Sequence, residues 1–439
     1  MPTTFRPYSP EQSFLLPPSP RDWLPEGHLV YFISETVDSL DLAEFYRPYE
    51  GDGRRNQPFD PRMLVKVLLY AYATGTFSSR RIARRIEEDV AYRVLAAENF
   101  PAHRTICEFR QLHLAAFGKL FVQVVRIARE AGVVKLGTLA VDGSKVKANA
   151  SKHKAMSYKR MLQEERNLRE QIAELTAKAA AVDASEDAEL GPGVRGDELP
   201  AELQRREQRL EKIQEAKKRL ETRQAEEDKA KGRSKDDDRK SPRGGRRFKR
   251  DFGVPEDKKQ DNFTDPESRI MKTMSGYEQC YNGQIAVDED SQLIVATALT
   301  NNAADNNELL PLLDEVSSNL GSDPEQLLAD AGYRSEANFQ ALEGRDVDAY
   351  VSLGREGKKA PTAATSPASL RMEAKLASEA GKKRYRRRKA IVEPVFGWIK
   401  GVLGFRRFSF RGSEKTEQEW NLICLAVNLK RFHVLQATG

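Results

Sequence analysis

Apolar residues recur at helical intervals through the first quarter of the chain. Asp60-Pro61 supplies an N-cap with Pro at the first helical position, and Met63, Val67, Leu68 and Ala71 repeat every three or four residues toward Gly75. A second helix is expected from Ser78, with Ile82, Ile86 and Val90 spaced by four and Arg80, Arg81, Arg84 and Arg85 on its polar faces. Pro101-Ala102-His103-Arg104 opens a third. Short helices, a tight break and a basic helix start match a helix-turn-helix arrangement, in which His103, Arg104, Glu108 and Arg110 would face a major groove.

The period then shortens. Leu139, Val141 and Val146 flank a polar centre in residues 137–149, which reads as a strand ending at Asp142. From Tyr158 to Arg223 it lengthens again: Met161, Leu168 and Leu175 are seven apart, and Leu203, Leu210, Ile213 and Leu220 make an a/d-like seam. A break at Leu190-Gly191-Pro192-Gly193 divides this stretch into two arms, an antiparallel helical hairpin. Residues 231–261 have few aliphatics and no period, so disorder, or order only on a partner, is expected. A β-hairpin follows at 283–288 and 292–299, then a helix at 306–319, a strand at 326–330, a helix at 335–342 and a strand at 348–352. Beyond a small-residue loop at 356–370 lies a long helix carrying Glu393. With residues 148–275 set aside as an insertion, three strands precede alternating helices and strands. That order is the one an α/β sheet with antiparallel strands followed by parallel ones requires.

Across 439 residues, 39% are hydrophobic and 31% charged, and no apolar run approaches the ~18–20 residues of a membrane span, which excludes an integral membrane protein. Met1 to Leu24 mixes prolines and acids where a secretory signal needs a continuous apolar region, so a cytoplasmic location is expected. Cys107, Cys280 and Cys424 lie too far apart for a disulfide framework or a metal finger, and His103, His113 and His153 add no zinc spacing. The net charge is only +6, but its placement matters: residues 231–259 hold 12 Lys/Arg against 6 acids, and 381–411 hold 11 against the single acid Glu393. Either run alone reads equally well as a solvated surface; two together favour a polyanion, most simply nucleic acid.

Three carboxylates stand out. Asp142 closes the first strand, Asp330 the fourth, and Glu393 sits on the late helix. Adjacent first and fourth strands would gather all three, and clustered carboxylates call for compensating cations because like charges raise one another's pKa. Hard oxygen ligands suit Mg2+ or Mn2+, and two such ions about 3.5–4 Å apart would activate an attacking oxygen and stabilise a leaving one in phosphodiester displacement. Each residue has a plainer reading. An Asp before Gly is commonly turn chemistry, and a Glu among arginines an ion-pair partner. Cations near this constellation (Arg388, Lys389, Lys400, Arg406 and Arg407) and on the N-terminal helices (Arg80, Arg81, Arg84, Arg104 and Arg110) are candidate DNA-backbone contacts. Phe396 and Trp398 read as packing for the Glu393 helix rather than as stacking platforms.

At these positions the chain resembles the DDE transposases of bacterial insertion sequences. Val141-Asp142-Gly143-Ser144 looks like the family's first-Asp strand, Ala329-Asp330-Ala331-Gly332-Tyr333 like its second-Asp block, and Val392-Glu393-Pro394-Val395-Phe396-Gly397 with Lys400 like its Glu helix. Glu393 and Lys400 meet the Glu-x6-Lys spacing, seven apart and so on one helix face, where the Lys would meet a phosphate. Gly404-Phe405-Arg406-Arg407-Phe408 and Arg411-Gly412 also match, and residues 46–112 resemble the family's helical N-terminal domain. The fuller signature has Tyr and Arg seven and four residues before the Glu; here Tyr385 is eight before and Lys389 stands four before.

The resemblance implies a ribonuclease-H-like mixed sheet interrupted by a helical hairpin insertion, with an all-α N-terminal domain. The expected division is a DNA-binding domain at 1–135, a catalytic domain at 136–152 plus 262–439, and an insertion at 153–261. It further implies binding of double-stranded DNA at transposon ends and target, a Mg2+- or Mn2+-dependent Asp142-Asp330-Glu393 triad, strand transfer, a homodimer in the DNA complex and a bacterial, nucleoid-associated setting. A nuclease or resolvase of the same fold, or a non-catalytic DNA-binding protein, remains an alternative.

Overall fold

The computed structural model describes residues 19–50, 57–190, 201–235, 250–354 and 366–438. The chain opens with α1 (Leu29–Ser39), α2 (Ala43–Tyr46), α3 (Pro61–Ala73), α4 (Ser79–Glu88), α5 (Val90–Ala96), α6 (His103–Leu112) and α7 (Leu114–Glu130). Asp60 caps α3, its carboxylate accepting from the Arg62 N–H at 2.7 Å, with Pro61 at the first turn as expected. All of α3 except Arg62 and Lys66 is buried, which makes it the central helix of this region.

β1 (Thr138–Lys147) leads through β2 (Ala155–Ser157) into the hairpin arms α8 (Tyr158–Leu190) and α9 (Ala201–Ala230). The turn expected between the arms, at Leu190-Gly191-Pro192-Gly193, falls largely outside the described residues. The arms pack through Tyr158, Met161, Leu168, Ile213, Ala216 and Leu220, a cluster separate from the main core. β3 (Gln260–Asn262) then pairs antiparallel with β2. This corrects part of the disorder expected for 231–261. No apolar period marks β3, because ion pairs hold it: buried Asp261 meets Arg219 at 2.8 Å and also Arg223.

The rest is β4 (Arg269–Thr273), β5 (Gly276–Asp288), β6 (Ile294–Thr300), α10 (Leu309–Leu320), β7 (Gln326–Ala329), α11 (Glu336–Gly344), β8 (Asp348–Val351), α12 (Pro367–Ala377), α13 (Glu379–Gly397) and α14 (Ser413–Thr438). The sheet runs β4-β5-β1-β7-β8, with β6 also on β5. β1 is antiparallel to β5 but parallel to β7, and β7 is parallel to β8. The expected strand order holds, with β1 and β7, the first and fourth strands of that order, adjacent. β4, absent from the sequence reading, is an edge strand whose run Arg269-Ile270-Met271-Lys272-Thr273 buries only Met271. β1 does not end at Asp142; it continues along β5 to Lys147 after its pairing with β7 stops at Val141.

α13 lies against β1, β5, β7 and β8, while α14 packs against α3, α7 and β6. One hydrophobic core therefore runs from Val30 on α1 through the sheet to Leu429 on α14. Phe396 and Trp398 pack against that core, as expected.

Candidate active site

Parallel pairing of β1 with β7 sets the site. Val141 and Ala329 are register partners, so Asp142 and Asp330 are the next residues along two neighbouring parallel strands. The Asp142 Oδ1 accepts from the Gly143 N–H at 2.8 Å, and the Asp330 Oδ1 from the Gly332 N–H at 2.8 Å. Burial and then the Asp330 charge push the Asp142 carboxyl up to about 6, against the opposing pull of Arg388.

Arg388 comes from α13 and sets its Nη1 3.1 Å from the Asp142 Oδ2. Burial opposes its charge, but Asp142, Tyr385 and Asp330 hold its pKa above the ordinary value. Tyr385 and Arg388 stand eight and five residues before Glu393, each one position earlier than the family spacing; Lys389 is exposed. The guanidinium expected on a DNA phosphate is buried against a carboxylate instead. Arg110 is also corrected: it is 5% exposed and donates to the Tyr72 hydroxyl at 3.0 Å and the Phe77 carbonyl at 2.7 Å. Arg80, Arg81, Arg84, Arg104, Arg406 and Arg407 are exposed, Arg84 paired with Glu88 at 2.8 Å.

Glu393 lies on α13 between Arg388 and the following π-turn, Trp398–Val402, with an exposed side chain. Lys400 sits within that turn. Its Nζ donates to the Ser144 Oγ at 2.5 Å and the Lys145 carbonyl at 2.7 Å, and burial lowers its pKa. The change of winding gives Glu393 and Lys400 different surroundings, where the sequence spacing alone put them on one face. Among the described residues no group of three or more His, Cys, Asp or Glu is arranged to hold a metal ion. The structure sets Asp142 and Asp330 side by side, while Glu393 is exposed on α13.

Several residues here escaped the sequence reading. Asp305, in the turn between β6 and α10, has its Oδ1 2.5 Å from the Asn282 Nδ2, 2.7 Å from the Gln284 Nε2 and 3.4 Å from the Lys145 Nζ. The Tyr333 hydroxyl donates to the Gln284 Oε1. Burial and then the charges of Asp305, Asp142 and Asp330 hold the Tyr333 pKa well above its ordinary value. The structure buries Asn282 and Gln284 of β5 completely, and buried amides require partners, which the sequence alone does not identify.

The site is a mixed sheet that carries Asp142 within β1 and Asp330 just past β7, against the basic helix α13. A family model described as Transposase DDE domain matches residues 250–429, which include Asp330, Glu393 and Lys400 but begin after Asp142. A second, described as Transposase domain (DUF772), matches residues 18–112. No curated protein and no solved structure matches the chain. By these two matches, the chain belongs to the DDE transposases of the insertion-sequence type. No helix among the described residues is long and apolar enough to cross a membrane.

Proposed function

We propose that this chain is a DNA transposase with a ribonuclease-H-like catalytic fold, whose Asp142, Asp330 and Glu393 support metal-dependent cleavage at transposon ends and transfer of the freed 3′-OH to target DNA. The observation that carries the reading is the register of β1 and β7, which makes Asp142 and Asp330 equivalent positions on adjacent parallel strands. The donor chemistry fits Mg2+ or Mn2+. Two hard carboxylates stand at neighbouring positions of adjacent parallel strands, and burial and then the Asp330 charge raise the Asp142 pKa despite Arg388. When bound, one or two such ions would supply electrophilic stabilisation of the attacking and leaving oxygens.

The chain's own residues do the rest. Arg388 orients the Asp142 carboxylate, and Lys400 ties α13 to β1 through Ser144 and the Lys145 carbonyl. Glu393, on the intervening stretch of that helix, is the third carboxylate of the site. Exposed Arg80, Arg81, Arg84 and Arg104 on the N-terminal helices, with Lys389, Arg406 and Arg407, hold the DNA backbone, their charge giving salt-dependent affinity. Pairing two DNA ends calls for a homodimer in the DNA complex.

The test is cleavage and joining of a labelled duplex carrying the element's own ends, in Mg2+ or EDTA. Asp142→Asn, Asp330→Asn and Glu393→Gln are each expected to lower cleavage by about 10³-fold or more while duplex binding persists. Unchanged cleavage in any of the three removes that residue from the site. Cutting without joining would instead identify a nuclease, and metal-independent binding alone a DNA-binding protein.

A further inference from the structure

Asp305 lies against the glycines that closely follow the two aspartates, without belonging to the triad. A Cβ built on Gly143 would stand 2.8 Å from its Oδ1, and one built on Gly332 would stand 3.0 Å from its Oδ2 and 2.9 Å from the Asp330 Oδ1. Gly143 follows Asp142 directly, and Gly332 donates its N–H to Asp330. The Asp305 carboxylate therefore fills the gap between the two Asp-bearing segments, and both glycines lack side chains where it sits.

Hydrogen bonds fix it there. Its Oδ1 takes the amides of Asn282 and Gln284, both on β5 and fully buried, with Lys145 of β1 at 3.4 Å. Gln284 is the register partner of Gly143, and its Oε1 accepts from Tyr333, three residues beyond Asp330. One carboxylate thus touches β1 directly, reaches β5 through two amides, and reaches the Asp330 loop through Gln284 and Tyr333.

We infer that Asp305 is a positioning residue that sets the separation and aim of Asp142 and Asp330, so that the pair presents its oxygens to a divalent cation. The inference rests on the reading of that pair as ion ligands. It acts through acceptor geometry: the Oδ1 that gathers the β5 amides is what matters, and an amide oxygen can replace it. Outer-shell groups orient metal ligands, and their loss typically costs about 10–100-fold in metal affinity.

The experiment is titration of the purified full chain with Mn2+ alone, followed by calorimetry, with metal-free melting of each variant as the control for folding. Asp305→Ala is expected to weaken Mn2+ by about 10–100-fold, the range for loss of an outer-shell partner, while Asp305→Asn stays within about threefold of the unmodified chain. Gly332→Ala, whose methyl intrudes between the Asp305 and Asp330 carboxylates, is expected to weaken Mn2+ in the same direction and serves if Asp305→Ala fails to fold. If the unmodified chain and Asp142→Asn bind Mn2+ alike, the ion-ligand reading fails and this inference with it. If Asp142→Asn loses Mn2+ while Asp305→Ala and Gly332→Ala do not, the positioning role alone is overturned. Equal loss in Asp305→Ala and Asp305→Asn also overturns it, because charge rather than acceptor geometry would then be the cause.

Discussion

Asp142 is held by opposing influences whose balance is measurable. Burial and the Asp330 charge raise its carboxyl to about 6 from an ordinary 3.8, while Arg388 pulls it down. Because the folded state binds this proton more tightly than the unfolded chain, the destabilisation is absent below about pH 4, grows as pH rises and is complete above about pH 6. A shift of this size corresponds to about 3 kcal/mol at most, reduced by the solvent that reaches the side chain. Asp142→Asn has no such proton to lose. Its stability relative to the unmodified chain should therefore improve by about 2–3 kcal/mol between pH 4 and pH 7, on top of a constant offset from the lost Arg388 contact. Urea unfolding in EDTA across that range measures it, and a difference that does not change with pH would remove the raised pKa from the account.

Between elements, the main joint is α14. Glu419, fully buried, accepts from the Ser409 N–H at 2.7 Å, the Phe410 N–H at 3.2 Å and the Tyr72 hydroxyl at 3.3 Å, and Arg110 donates to that same hydroxyl. The contact links α3 and α6 to the segment just before α14. Glu419→Ala would leave two backbone N–H groups without this acceptor and Arg110 without a nearby negative charge, at about 3–5 kcal/mol; Glu419→Gln should recover part of it. A loss under about 1 kcal/mol, read from the urea midpoint, would contradict the joint. This joint also shows where sequence reading stops. The α3 and α10 helices and the order of β1, β5, β6, β7 and β8 were legible because apolar period and turn residues are local properties. Asp142 and Asp330 were legible as acids followed closely by glycine, though β1 runs on past Asp142 to Lys147. Arg110 looked like a surface cation, and Asp305 did not register at all. Each takes its role from partners distant in sequence, which no local pattern encodes. β3 and β4 stayed hidden for a related reason: ion pairs hold β3, and β4 buries a single side chain.

At the scale of the whole chain, the described residues form two apolar clusters of unequal size. The larger joins the N-terminal helices and the sheet, so the expected boundary near residue 135 is crossed by continuous packing through α7 and α14. The smaller lies within the base of the α8–α9 hairpin and shares no residue with the larger. Hydrophobic stabilisation follows the area each cluster removes from water, so the sheet should not depend on the far part of the hairpin. Replacing residues 172–209 with a short Gly-Ser linker keeps Tyr158, Met161, Leu168, Ile213, Ala216 and Leu220 and the Asp261 ion pairs. The shortened chain is expected to lose helical circular dichroism in proportion to the α8 and α9 residues removed yet melt within about 4 °C of the full one. A drop beyond about 10 °C would mean that the far arms brace the sheet, and that the hairpin is part of the catalytic body rather than an appendage to it.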